Sequence, residues 1–211
     1  MQALPCLVNL ISGQQKKSIK KEAVWTISNI TAGNKDQIQA VIDANIVPYL
    51  VYHLEHSEFD IKKEAAWAIS NATSGGTHNQ IKFLVNQGCI PPLCNLLNYQ
   101  DMRVVTVALE GLENILKVGE TEKEMHHMQH NEYADAVEAC GGVNTIEQLQ
   151  YSGTKEVYDK VMRIIVQYFG MDEEEDAETV TADEMGGSQS FNIQSTADSG
   201  GYVPQGGFSF G

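Results

Sequence analysis

Two ten-residue phrases, KKEAVWTISN at residues 20–29 and KKEAAWAISN at residues 62–71, hold both tryptophans of the chain, placed 42 residues apart. A phrase reused at that interval is a structural unit, or a binding element presented twice. Its surroundings are reused as well. Pro5, Pro48 and Pro91 recur every 43 residues and open the apolar stretches PCLVNLI, PYLVYHL and PPLCNLL. A proline suits the first turn of a helix, where its missing N–H costs nothing. The segments TAG and TSGG place glycine-rich helix stops at Gly33 and Gly75.

Each unit resolves into three helices. One begins near KDQIQAVIDA or HNQIKFLVNQ, a second at the proline, and a third carries KKEAxWxISN. A third copy fits residues 103–118, RVVTVALEGLENILKV, with Glu110 where Trp67 stood and Asn114 matching Asn71. A fourth, decayed copy covers ADAVEACGGVNTIEQLQ and KEVYDKVMRIIVQYF, so the copies run from Leu4 to about Gly170. At this period no unit covers its own apolar face, and each is buried by its neighbours. Three helices per ~42 residues is the armadillo type of period, and it predicts an all-α solenoid. The expected units are a repeat with only its second and third helices over 1–33, repeats over 34–76 and 77–120, a capping repeat over 121–170, and a disordered acidic then Gly/Ser-rich tail over 171–211. Opening on a second helix leaves an apolar edge, expected to be exposed or to belong to a longer parent.

Composition agrees and excludes several functions. Aromatics are sparse, and Leu, Ile, Val and Ala carry the apolar content, which suits helices. The formal charge of -14 is concentrated at the end: residues 171–211 hold nine Asp or Glu and no Lys or Arg. Neither part has the basic stripe that phosphate binding needs, so nucleic acid is not an expected partner and basic ligands are favoured. Cys6, Cys89, Cys94 and Cys140 lack CxxC spacing and read as small core residues. No signal peptide and no run of roughly 18 apolar residues is found, which predicts a cytosolic or nuclear protein and no membrane. Asn29-Ile30-Thr31 and Asn71-Ala72-Thr73 match the glycosylation sequon but would not meet the secretory pathway, so these asparagines need another explanation.

Residues three and four apart share a helix face, so Glu22, Trp25 and Asn29 form one stripe and Glu64, Trp67 and Asn71 the next. Packed helices lie about 10 Å apart, and an extended peptide advances about 3.3 Å per residue. Adjacent stripes would address peptide positions about three residues apart. An asparagine amide can hold a peptide N–H and C=O whatever the side chain. Neighbouring indoles make a slot for a Lys or Arg stem, and the glutamate one turn earlier supplies the opposite charge. The competing reading makes the tryptophans core residues and the asparagines helix caps. Against it, Ala23 with Ile27 and Ala65 with Ile69 already supply a core face, and asparagine recurs in the third copy without tryptophan.

KKEAVWTISNITAG, KKEAAWAISNATSGGT, LEGLENILKVGETEK, EACGGVNTIEQLQ, EVYDKVMRIIVQYF and the acidic DEEED resemble, in order, the C-terminal repeats of importin-alpha, the nuclear-import adaptor. The resemblance covers residues 4–176. It implies a right-handed superhelical armadillo solenoid whose third helices line a groove for basic nuclear localisation signals, here the minor-site half. Trp25 and Trp67 would be the slot walls, Asn29 and Asn71 the backbone clamps, Glu22 and Glu64 the acids facing basic side chains, with Glu110 and Asn114 flanking. It further implies recognition of the last repeats and acidic segment, including Asp172, Glu173, Glu174 and Glu175, by the export receptor, and shuttling between cytoplasm and nucleus. Importin-beta would bind only through a basic N-terminal segment that is not seen in this sequence.

Other signals are weaker. His126 and His130 share a helix face in EKEMHHMQH, but no third ligand is near, so no metal is expected. The terminal FSFG and the DEEED run are read as parts of a solvated tail. No nucleophile or acid–base pair stands on the stripes, so neither an enzyme nor a cofactor is expected. An armadillo scaffold for partners other than localisation signals is the alternative function.

Overall fold

The computed structural model describes residues 3–151 and 154–170. The expected tail, with Asp172, Glu173, Glu174, Glu175 and the FSFG end, lies outside the described residues. Eleven helices follow one another among the described residues: α1 (Ala3–Ser12), α2 (Lys17–Thr31), α3 (Lys35–Asp43), α4 (Val47–His56), α5 (Phe59–Gly75), α6 (His78–Asn86), α7 (Ile90–Leu96), α8 (Met102–His126), α9 (Glu132–Ala139), α10 (Gly142–Gln148) and α11 (Lys155–Tyr168). They group as a pair followed by three triplets, an all-α armadillo solenoid. Within a triplet the first helix is short and the third is longest, and the second carries a proline in the first two triplets (α4 and α7) but not in the last (α10).

Local chemistry sets these boundaries at the same place in successive units. Asn34 and Thr77 open α3 and α6 with reciprocal capping boxes to Gln37 and Gln80, each satisfying two otherwise orphaned N–H groups. Pro48 and the Pro91-Pro92 pair stand in the first turn of α4 and α7. The turn between first and second helix needs one residue in the left-handed region, supplied by Asn45 (φ 55°), Gly88 (φ 83°) and Gly141 (φ 74°). A side chain beyond asparagine is strained there. Gly141 therefore fixes the register of the fourth copy, whose sequence otherwise matches poorly.

The third helices pack in series, α2 on α5, α5 on α8 and α8 on α11. Their apolar faces form one continuous core: Ala23, Val24 and Ile27 from α2, Ala65, Ala66, Ala68 and Ile69 from α5, and Val105, Ala108, Leu109, Leu112 and Ile115 from α8, all nearly inaccessible. Each helix is thus held by its neighbours rather than by its own repeat alone. At Gly111 an added Cβ would lie 3.6–3.7 Å from Leu93 and Ser70, ordinary contact that records how closely α8 approaches α5.

Three expectations need adjustment. α8 runs through to His126, so the boundary drawn between 120 and 121 falls inside a helix. The cause is packing: α8 stays buried as far as Val118 and Gly119, where the capping repeat docks on it. Cys89 and Cys94 are core residues, with burial pushing the Cys89 thiol up to about 12, but Cys6 is exposed and Cys140 half-buried. Cys6 lies on the outer side of α1, whose buried side is Leu4, Leu7 and Ile11.

A stripe of tryptophan, asparagine and glutamate on the third helices

The helix period delivers the predicted stripes. On α2, Ala23, Val24 and Ile27 turn inward and leave Glu22, Trp25 and Asn29 exposed. On α5 the same alternation buries Ala65, Ala66, Ala68 and Ile69 and leaves Trp67 exposed, flanked by half-buried Glu64 and Asn71. Trp25 is 50% and Trp67 40% accessible, which rules out the core reading of these indoles. Large apolar groups this open, on neighbouring helices, make a surface suited to a ligand.

The asparagines are held more firmly than the sequence suggested. Asn71 Nδ2 donates to the Ser28 carbonyl of α2 at 3.1 Å, and Asn114 Nδ2 donates to Thr73 Oγ1 and Ser74 Oγ of α5 at 3.2 and 3.0 Å. Both amides therefore bridge to the preceding repeat. Asn29 Nδ2 donates instead to the Trp25 carbonyl of its own helix at 3.0 Å. Since an amide has two donors and a carbonyl oxygen, Asn71 keeps one N–H and Oδ1 for another partner, in a rotamer fixed by the neighbouring helix.

The acids divide into two kinds. Glu22 and Glu64 make no ion pair among the described residues, whereas Glu110 Oε1 lies 2.9 Å from Lys160 Nζ of α11 and Glu113 Oε1 lies 2.8 Å from Arg163 Nε. Glu110 is thus not an open carboxylate, a contact between α8 and α11 that spacing could not reveal. Asn114, one turn on, is half-buried.

At the far end of α8, His126 Nε2 sits 3.6 Å from Glu122 Oε2, and His127 ends the helix in the left-handed region. Glu122 also pairs with Lys82 of α6, which holds its carboxyl below the usual range. Among the described residues no group of three or more potential metal ligands forms. No helix there is long and apolar enough to cross a membrane.

A residue that sequence reasoning passed over is His53 on α4. It is buried, with Nε2–H donating to the Ile11 carbonyl at 2.9 Å and Nδ1 accepting from Ser57 Oγ at 2.8 Å. That assignment follows from the carbonyl, which can only accept. Burial lowers its pKa, the bond to Ile11 opposes this, and Lys20 adds to the lowering.

Comparison with known proteins agrees with this architecture. The Armadillo/beta-catenin-like repeat profile matches residues 1–32, 34–74 and 77–117, and the atypical Arm repeat profile matches residues 131–183. Importin subunit alpha-4 of Arabidopsis thaliana is 58% identical over 167 residues, covering 79% of this chain and 31% of that protein. Importin subunit alpha-1b of Oryza sativa subsp. japonica is 56% identical over 210 residues, covering 100% of this chain and 38% of that protein. The chain therefore spans about a third of the length of these curated relatives. Among solved structures, a designed armadillo repeat protein in complex with the peptide (KR)4 superposes with a TM-score of 0.64 at 33% identity, covering 76% of this chain and 62% of that one.

Proposed function

The chain belongs to the armadillo-repeat family and its repeats are similar to those of importin-alpha subunits; on that premise we propose that its third helices form a groove for extended basic peptides of the nuclear-localisation type. The observation that carries this is the half-open state of Trp25 and Trp67 beside buried flanks. A core role would have enclosed them. Glu22 and Glu64 supply charge opposite to lysine and arginine, and the amides of Asn29 and Asn71 supply contacts to a peptide backbone whatever its sequence. The function is binding rather than catalysis.

In this reading the chain contributes the minor-site half of an import adaptor that shuttles between cytoplasm and nucleus, and its C-terminal repeat with the acidic residues after it meets the export receptor. The solved relative bound to (KR)4 supports the chemistry, since an alternating Lys-Arg peptide is the ligand class such a groove suits. Calorimetric titration with an alternating Lys-Arg octapeptide and with a Ser-Gly octapeptide tests the proposal. The basic peptide is expected to bind and the neutral one not to bind; equal affinity, or preference for the neutral peptide, would overturn it.

A further inference from the structure

The seams between successive third helices are not alike. Between α2 and α5, and between α5 and α8, the cross-links at the level of the stripe are the amides of Asn71 and Asn114. Between α8 and α11 they are two ion pairs, Lys160 with Glu110 and Arg163 with Glu113. Glu110 occupies the repeat position of Trp25 and Trp67, so the third stripe presents a carboxylate where the first two present an indole. A lysine of the same chain already sits on it. The Lys160 side chain is 15% exposed and Glu110 39% exposed: an enclosed stem delivers its ammonium to an acid at the edge of the groove.

We propose that Lys160 stands in for a ligand lysine and closes the basic-peptide track at α8, so that the groove reads charge only at the α2 and α5 stripes. This rests on the peptide-binding reading given above. An incoming lysine could pair with Glu110 only by displacing Lys160, exchanging one ammonium for another with no net gain and adding repulsion between the two cations during the exchange. The footprint of selectivity is therefore set by α11, a helix with no tryptophan.

The test uses the full chain at physiological salt and two peptides: a lysine core long enough for two stripes with Gly-Ser at both ends, and the same core with Lys-Lys in place of Gly-Ser at each end. The quantity read is the affinity ratio of extended to core peptide. Lys160→Met keeps the packed stem and removes the charge, and is expected to raise the ratio about two- to five-fold, the range measured for partly exposed ion pairs. Adding Glu110→Gln should return it to the wild-type value, and Lys160→Arg should leave it unchanged. Glu110→Gln alone leaves the Lys160 ammonium without its acid and is expected to lower the ratio by repelling the added lysines. A Lys160→Met, Glu110→Gln double variant below the wild-type ratio would mean that Glu110 contacts ligand in the wild type, and would overturn the proposal. An unmoved ratio in Lys160→Met, with core binding still dependent on Trp67, overturns the closure and spares the groove. Core binding indifferent to Trp67→Ala overturns both.

Discussion

Replacing Trp67 with alanine removes one wall of the slot and its effect can be worked from the exposure of the ring. Trp67 is 40% accessible, and an indole side chain offers up to roughly 250 Å², so about 100 Å² faces a ligand. Complete cover at about 25 cal/mol per Å² would contribute about 2.5 kcal/mol, and an extended peptide covering half of it about 1.2 kcal/mol. A cation over an exposed ring face adds about 0.5–1 kcal/mol. The expected loss is therefore about 1.5–2.5 kcal/mol, a dissociation constant about 10- to 70-fold weaker. Fluorescence anisotropy with a labelled Lys-Arg octapeptide measures it, and the remaining Trp25 gives a second, intrinsic signal. Far-UV ellipticity should hold, because the apolar face of α5 is carried by Ala65, Ala66, Ala68 and Ile69. An affinity within two-fold of wild type with ellipticity unchanged would refute the slot.

Two further outcomes follow from the packing. Gly119→Ala gains helix propensity, yet its Cβ would fall 2.0 Å from Asn131 Oδ1, the atom that caps α9 through Tyr133 N and Ala134 N; losing that cap and the bond from Asn131 Nδ2 to Leu116 O should cost about 1–3 kcal/mol in urea unfolding, and a variant as stable as wild type would refute it. His53 has a depressed pKa in the folded chain, so the unfolded chain takes up its proton first as the pH falls: its contribution is fully present above the ordinary value of 6.5 and is lost below it. The urea midpoint should decline between pH 7 and 5, and more shallowly in His53→Asn; equal slopes would remove His53 as the cause.

Much of this was legible in one phrase because a repeat states its rules more than once. The Ala and Ile that KKEAxWxISN shares between its copies, Ala23 with Ile27 and Ala65 with Ile69, are inward positions, and the structure buries them in both. What escaped was whatever depends on contacts between copies. The ion pair joining Glu110 to Lys160 spans 50 positions without any periodic signal. His53 reaches back to Ile11 in a way that composition does not mark. The fourth copy could have been registered better, since the turn residues Asn45, Gly88 and Gly141 carry the same backbone demand in all three complete units. Asparagine and glycine before a hydrophobic helix start are the sequence sign of that demand.

The asparagines show why fold and site are hard to separate in such an array. Asn71 spends one amide hydrogen on Ser28 of the preceding repeat, so the side chain that would clamp a peptide also ties two repeats together. A flexible amide on the groove would lose rotamer entropy on binding; one already fixed by a neighbouring helix does not lose it again. Asn29 bonds only within its own helix among the described residues, and is to that extent less preorganised. The two copies of the phrase are thus unequal as binding elements although nearly identical in sequence, and the difference comes from what lies before each of them: for Asn71 a complete neighbouring third helix, for Asn29 none among the described residues.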